Sequence, residues 1–154
     1  SLKEESDTLE QYLRIEQFCQ QNPFDYSIVL PENIDAEELE IPPMLLQPFV
    51  ENAVVHGISH LQWPGKIEVR FSLEDGRLKC IIQDNGIGRE KAARLRQERK
   101  PGHQSVAVSV TRDRLEALKE GASYEALVFE DLKDEAGEII GTSVIVRIPV
   151  KVNF

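Results

Sequence analysis

The sequence predicts an α+β domain, a two-layer α/β sandwich whose mixed, mostly antiparallel sheet carries helices on one face. Three observations predict it. Residues 42–58 are apolar around nearly the whole circumference at 3.6 residues per turn, the mark of a buried helix. Residues 67–73 alternate apolar and polar, and Glu74, Asp75 and Gly76 turn that strand into a second one at 78–83. The full order then reads helix, strand, helix, strand, strand, charged connection, helix, strand, strand.

Residues 1–21 have helical composition. Leu2, Leu9, Tyr12 and Cys19 lie near a heptad seam, so this helix either pairs with another helix or lies on the chain's own domain. Asn22 and Pro23 end it. Residues 26–30, bounded by Pro23 and Pro31, suit a short edge strand, and residues 31–41 are acidic and loop-like. In the central helix Leu45, Phe49, Asn52 and His56 share one stripe, with Leu46, Val50, Ala53 and Gly57 on the next. Pro48 removes the amide that would bond the Met44 carbonyl, which predicts a kink or a loosened first turn, and Gly57 marks the helix end. A connector containing Trp63, Pro64 and Gly65 leads into the strand pair. Residues 89–104 are charged and poor in apolar groups, as a lid with a short helix would be. Ser105 suits the N-cap of a helix that runs to Lys119, with Val106, Val110, Leu115 and Leu118 inward and Gly121 as its stop. Residues 126–129 form a strand, residues 134–137 a turn, and residues 139–150 the last strand, with Val144, Val146 and Ile148 alternating.

At 154 residues and 41% hydrophobic content, the chain suffices for one core. A net charge of -9 argues against binding nucleic acid or an anionic membrane by bulk electrostatics. Six basic residues nevertheless cluster locally: Arg89, Lys91, Arg94, Arg96, Arg99 and Lys100. They form either a solvated face or a source of positive potential beside a phosphate site. Cys19 and Cys80 are far apart, which fits a reducing compartment, and His56, His60 and His103 are too scattered for a structural metal. No apolar run approaches the roughly 18–20 residues that span a bilayer, and no signal peptide is evident. The chain opens at Ser1 in a mid-helix pattern without an initiator methionine, and reads as a piece of something longer.

Two features carry chemistry. Asn52 and His56 lie inside the apolar stripe and need hydrogen-bond partners in protein or ligand, because an unsatisfied buried polar group costs about 1–3 kcal/mol. The second strand of the hairpin ends on Asp84, followed by Asn85, Gly86, Ile87 and Gly88. A carboxylate at a strand end can face a cleft, and the same residues equally make a plain turn.

Together, the helix bearing Glu51 and Asn52 and the turn from Asp84 to Gly88 resemble the N box and G1 box of the ATP-binding superfamily shared by gyrase, the heat-shock chaperone, sensor histidine kinases and a mismatch-repair protein. The run Gln47, Pro48, Phe49, Val50, Glu51, Asn52, Ala53 with His56 and Gly57 is similar to the form this helix takes in LytS-type sensor histidine kinases. The flanks agree: residues 9–16 are similar to the linker helix before the catalytic domain in that branch, and residues 141–149 to its last strand.

The resemblance implies a linker helix over residues 1–21 from a missing dimerisation and phosphoacceptor region, and an ATP-binding catalytic domain over residues 22–154. It implies that Mg-ATP is bound and that its γ-phosphoryl passes to a histidine on a dimerisation helix, so that the chain alone does not autophosphorylate. Asp84 would accept the adenine amine proton, and Gly86 and Gly88 would let backbone approach the base. Asn52 would ligate magnesium through its side-chain oxygen. Glu51 would orient a nucleophile or act as a base, or stand as an ordinary surface glutamate. His56 would approach phosphate or cap the helix end, Ser105 would lie near phosphate, and Thr142 would lie near the adenine pocket or stand as an ordinary strand residue beside Gly141. The implied partners are the kinase's own phosphoacceptor helix and a response regulator receiver domain, with no nucleic acid, in a homodimeric parent. The implied location is the cytoplasmic side of an inner-membrane sensor. Two departures from the family pattern stand out, Val55 where a cation is common and Ala107 where a glycine is common. They motivate a second reading, a degenerate domain serving as a docking or regulatory module. A third is a free-standing ATPase in which Glu51 activates water.

Overall fold

Ser1 caps the first helix, α1 (Leu2–Cys19): its hydroxyl accepts the Glu4 N–H at 3.3 Å while the Glu4 carboxylate reaches back to the terminal amine. The structure, a computed structural model, describes residues 1–21, 23–59, 61, 63–91, 94 and 105–152. Leu2, Leu9 and Leu13 of α1 are fully buried in the core, whereas Cys19 at the end of the heptad seam is exposed. The helix thus lies on its own domain through one apolar stripe.

β1 (Phe24–Val29) is an edge strand, as its flanking prolines suggested. β2 (Leu39–Glu40) falls inside the stretch expected to be loop. The central helix is shorter than its apolar pattern: α2 spans Gln47–Asn52, and residues 43–46 are turns and bends, with Met44 held at φ 63°. Pro48 sits in the first turn, where no intrahelical amide bond is required, so it starts the helix rather than kinking it. The distortion comes later. Ala53–Ile58 form a π-helix, and Gly57 lies within it instead of ending it.

β3 (Gly65–Glu74) and β4 (Arg77–Asp84) form the expected hairpin. Its two-residue turn has both Asp75 and Gly76 at positive φ, the mirror-image geometry that matches strand twist. α3 (Ser105–Leu118) buries Thr111 and Leu115 and half-buries Val108 and Leu118. Val110, expected inward, is 55% exposed, because the inward stripe runs 108, 111, 115, 118. The side chain of Val106, also expected inward, lies outside the described residues. β5 (Leu127–Lys133) and β6 (Ile139–Pro149) follow, joined by a turn in which Asp134 accepts N–H bonds from Ala136 and Glu138, and β7 (Lys151–Val152) closes on β2.

The main sheet has the order β1-β3-β4-β6-β5, antiparallel except for the parallel β1–β3 pair. Its inner face, carrying Ile67, Val69, Phe71, Leu78, Ile82 and Val146, meets the π-helix and α3. Most alternate residues face solvent or are half-buried, with Ser143 of β6 a buried exception, so the expected two-layer sandwich is what forms.

Candidate functional site

Period-two alternation in β4 puts Leu78, Cys80, Ile82 and Asp84 on one buried face, so the strand delivers a carboxylate into the layer between sheet and helices. Asp84 is only 7% exposed. Its Oδ1 accepts the Gly86 N–H at 2.8 Å, and a Thr142 backbone N–H also bonds it. Burial outweighs both donors and pushes the carboxyl up to about 6 from an ordinary 3.8.

Around the end of β4 the segments pack too closely for side chains at three glycines, one of them against the carboxylate itself. A Cβ on Gly57 would stand 2.8 Å from Asp84 Cγ, and one on Gly86 would stand 2.1 Å from the Gly57 carbonyl oxygen. A Cβ on Gly141 would meet the Asp84 carbonyl oxygen at 2.0 Å. That Gly57 carbonyl accepts the Ile87 N–H at 3.2 Å, which ties the π-helix to the turn after β4. Asn85 ties the same turn to the start of β3: its side chain accepts the Lys66 N–H at 2.7 Å and donates to the Pro64 carbonyl at 3.1 Å, while Trp63 Nε1 donates to its backbone carbonyl at 3.3 Å. Gly88 follows at φ 88°, against Ile139.

Above Asp84 opens a cavity of about 510 Å³. Phe49, Ile82, Phe129 and Val144 supply its apolar walls, with the Phe49 and Phe129 rings edge to face at 6.2 Å between centroids. Asn52 and His56 enter from the helical side, Thr142 from β6, and Gly88 from the turn. Arg89 and Arg112 also line it. The Arg89 and Arg112 guanidiniums lie 5.5 and 6.0 Å from the Phe129 ring centroid, and Arg89 pairs with Asp131 at 3.4 Å.

The structure therefore brings Asn52, His56, Asp84, Gly88 and Thr142 to one cavity. Gly86 lies behind it, against Gly57. Glu51 does not line the cavity; Gln47 Nε2 donates to its carboxylate at 3.3 Å, and its charge is felt by Tyr12 of α1. Ser105 is the first residue of α3, and its side chain lies outside the described residues, as do His60, His103, Arg96, Arg99 and Lys100. Val55 and Ala107 are both exposed and neither lines the cavity.

Arg112, Phe129 and Asp131 are cavity residues that the sequence reading missed. Arg112 was within reach: it stands four residues after Val108 and three before Leu115, a cation on the margin of the inward stripe of α3. Phe129 and Asp131 are brought in only by the pairing of β5 with β6.

No family model matches the chain. Over 104 residues, 68% of its length, the chain is 32% identical to the sensor protein LytS of Oceanobacillus iheyensis, of which that segment is 17%. It is 38% identical over 89 residues to LytS of Bacillus subtilis, covering 56% of this chain and 14% of that protein. With the Escherichia coli sensor histidine kinase BtsS it shares 33% identity over 85 residues, 55% of this chain and 15% of BtsS. The chain thus spans about a sixth of the length of such curated relatives. Among solved structures it superposes on the mycobacterial sensor histidine kinase MprB with a TM-score of 0.60 at 15% identity, covering 96% of this chain and 95% of that one. The catalytic domain of histidine kinase ThkA gives 0.56 at 15% identity, with 96% and 90% covered. The chain is a homologue of the LytS-type sensor histidine kinases, and its fold is that of the histidine kinase catalytic domain.

Proposed function

We propose that the chain is the ATP-binding catalytic domain of a two-component sensor kinase, delivering the γ-phosphoryl of ATP to a histidine on a dimerisation helix outside the chain. The observation that carries this reading is Asp84: a buried carboxylate, set against Gly57 and bonded by the Gly86 and Thr142 N–H groups, in a cavity with the apolar walls Phe49, Ile82, Phe129 and Val144. Such a group accepts the exocyclic amine of adenine, while Phe49, Ile82 and Val144 offer a dry surface to the flat base.

The described residues hold no cluster of three or more histidines, cysteines or acids able to bind a metal alone. The donor set instead fits magnesium carried with phosphate, an ion that keeps several waters and takes one or two protein oxygens. Asn52 would hold it. Bound there, the ion neutralises charge on the β- and γ-phosphates. The chain's own contribution is to seat the base, exclude water from its edge and orient the phosphates toward the cavity mouth, where Arg89 and Arg112 lie. Glu51 lies outside the cavity, toward α1, so Glu51→Gln should leave nucleotide affinity unchanged.

In the parent protein this domain would act as a homodimer, pass phosphate to a response regulator receiver domain, and sit on the cytoplasmic side of a membrane-anchored sensor. None of the described helices is long and apolar enough to cross a membrane. Titration calorimetry with a non-hydrolysable ATP analogue and magnesium tests the reading. Saturable binding that Asp84→Asn abolishes supports it; absence of binding at millimolar nucleotide transfers the lead to a docking or regulatory module.

A further inference from the structure

We propose that Glu5 of α1 and Arg114 of α3 are positioning residues for the cavity, acting through one peptide group, Pro43–Met44, so that the seating of α1 sets the affinity of the site for nucleotide. The effect on affinity rests on the nucleotide reading above; the joint between the helices does not.

The peptide group between Pro43 and Met44 is held at both ends. Its N–H donates to Glu5 Oε2 at 3.3 Å, and its carbonyl accepts from Arg114 Nη2 at 3.2 Å. In a trans peptide these two groups point in opposite directions, so one planar unit bridges two helices. Both bonds are charge-assisted and act on the same dipole in the same sense, the carboxylate at the N–H end and the guanidinium at the C=O end. Each polarises the peptide in the direction that strengthens the other, so losing one weakens both.

Glu5 lies in α1 between the core-facing Leu2 and Leu9, is only 7% exposed, and forms no ion pair among the described residues. A carboxylate so placed costs free energy unless a donor meets it, and the Met44 N–H is that donor. Met44 in turn is held at φ 63°, a left-handed conformation that its Cβ disfavours. Its side chain is half-exposed, so packing of that side chain does not hold the strained backbone. The two bonds to the peptide hold it, together with Leu45 and Leu46, both fully buried just after it.

The joint stands next to the cavity on both sides. Past Leu46 the chain enters α2 and the π-helix, which supply Phe49, Asn52 and His56 to the cavity wall. Arg114 lies on the helix whose Val108 and Arg112 line the same cavity. A displacement of α1 that draws Glu5 away frees the peptide to turn, loosens Arg114 and lets the two helical walls shift against each other. Nucleotide bound between the walls opposes that shift, and by linkage it tightens the seating of α1.

The experiment compares the parent with Glu5→Gln, Glu5→Ala, Arg114→Gln and the double variant Glu5→Ala/Arg114→Gln. Each is titrated calorimetrically with a non-hydrolysable ATP analogue plus magnesium, and its amide hydrogen exchange is followed with and without that analogue. Glu5→Ala and Arg114→Gln should each weaken the analogue about 3- to 10-fold, and the double variant about as much as the worse single one, not by their product. Glu5→Gln, whose amide oxygen accepts the same N–H, should recover most of the loss. Without ligand, Glu5→Ala should speed exchange in α3 and Arg114→Gln should speed exchange in α1, each about 3-fold or more, whereas a purely local role leaves the far helix unchanged. Arg114 is exposed, so its variant tests the joint even where Glu5→Ala fails to fold. Affinities within about 2-fold of the parent in both single variants, or losses that multiply in the double variant, overturn the coupling while leaving the nucleotide site standing. A parent that binds no nucleotide overturns the reading of the cavity, and the exchange of the far helix then decides the joint by itself: faster exchange upholds it, unchanged exchange overturns it.

Discussion

Gly57 lies so close to Asp84 that a Cβ on it would stand 2.8 Å from the carboxylate carbon and 2.9 Å from both carboxylate oxygens. The pair explains the π-helix. Widening the helix at Ala53–Ile58 presents a residue without a side chain to the end of β4, and the carboxylate fills the space. Gly57→Ala should therefore displace Asp84 and destabilise the fold by about 1–3 kcal/mol. Nucleotide affinity should fall with it. Urea unfolding of the two proteins checks the first part, and an alanine variant as stable as its parent would show that the helix simply slides away.

Asp84 also sets a pH dependence. Burial holds its carboxyl at about 6, so between about pH 4 and 6 the folded protein keeps a proton that the unfolded chain has released. The associated stability is fully present below about pH 4 and is lost as the pH rises through about 6. Ligand-free protein should accordingly lose on the order of 2–3 kcal/mol of unfolding free energy across that window, relative to Asp84→Asn. Parallel curves for the two proteins would contradict the assignment.

Leu9 and Leu13 test whether residues 1–21 belong to the domain. Both are fully buried, and Glu5 of the same helix accepts the Met44 N–H at 3.3 Å, just before α2. Leu13→Ala should cost about 2–5 kcal/mol in a single unfolding transition. A loss below about 0.5 kcal/mol, in the range of surface substitutions, would mark α1 as a detachable linker.

Asn85 is the clip between the Asp84 turn and β3, with one hydrogen bond accepted and one donated by its side chain. Asn85→Ala leaves the Lys66 N–H and the Pro64 carbonyl without that partner, a loss of about 1–3 kcal/mol. Trp63, the single tryptophan, bonds the Asn85 carbonyl and reports on the same turn. Its emission should shift red in the variant; an unchanged spectrum would mean the turn holds without the clip.

The α+β class, the β3–β4 hairpin, the inward face of β6 and the placement of Asp84 at a strand end were all legible in the sequence. They are local: period two or 3.6 and turn chemistry at Asp75 and Gly76 determine them within a few residues. That Asn52 and Asp84 line one cavity was legible through resemblance. Only tertiary structure decided the rest. Pro48 reads as either a kink or a loosened first turn, and its neighbours place it in the first turn; Gly57 reads as a helix stop until Asp84 arrives from a strand 27 residues away in sequence to occupy its missing side chain. The parallel β1–β3 pair, the β2–β7 pair, and the gathering of Arg89, Arg112 and Asp131 around Phe129 depend on contacts between distant segments, which no local period encodes. Sequence thus determined which groups the protein carries to its site, and packing of the π-helix against the sheet decided how closely they are held, because Gly57 and Gly86 let two backbone segments meet there with no side chain between them.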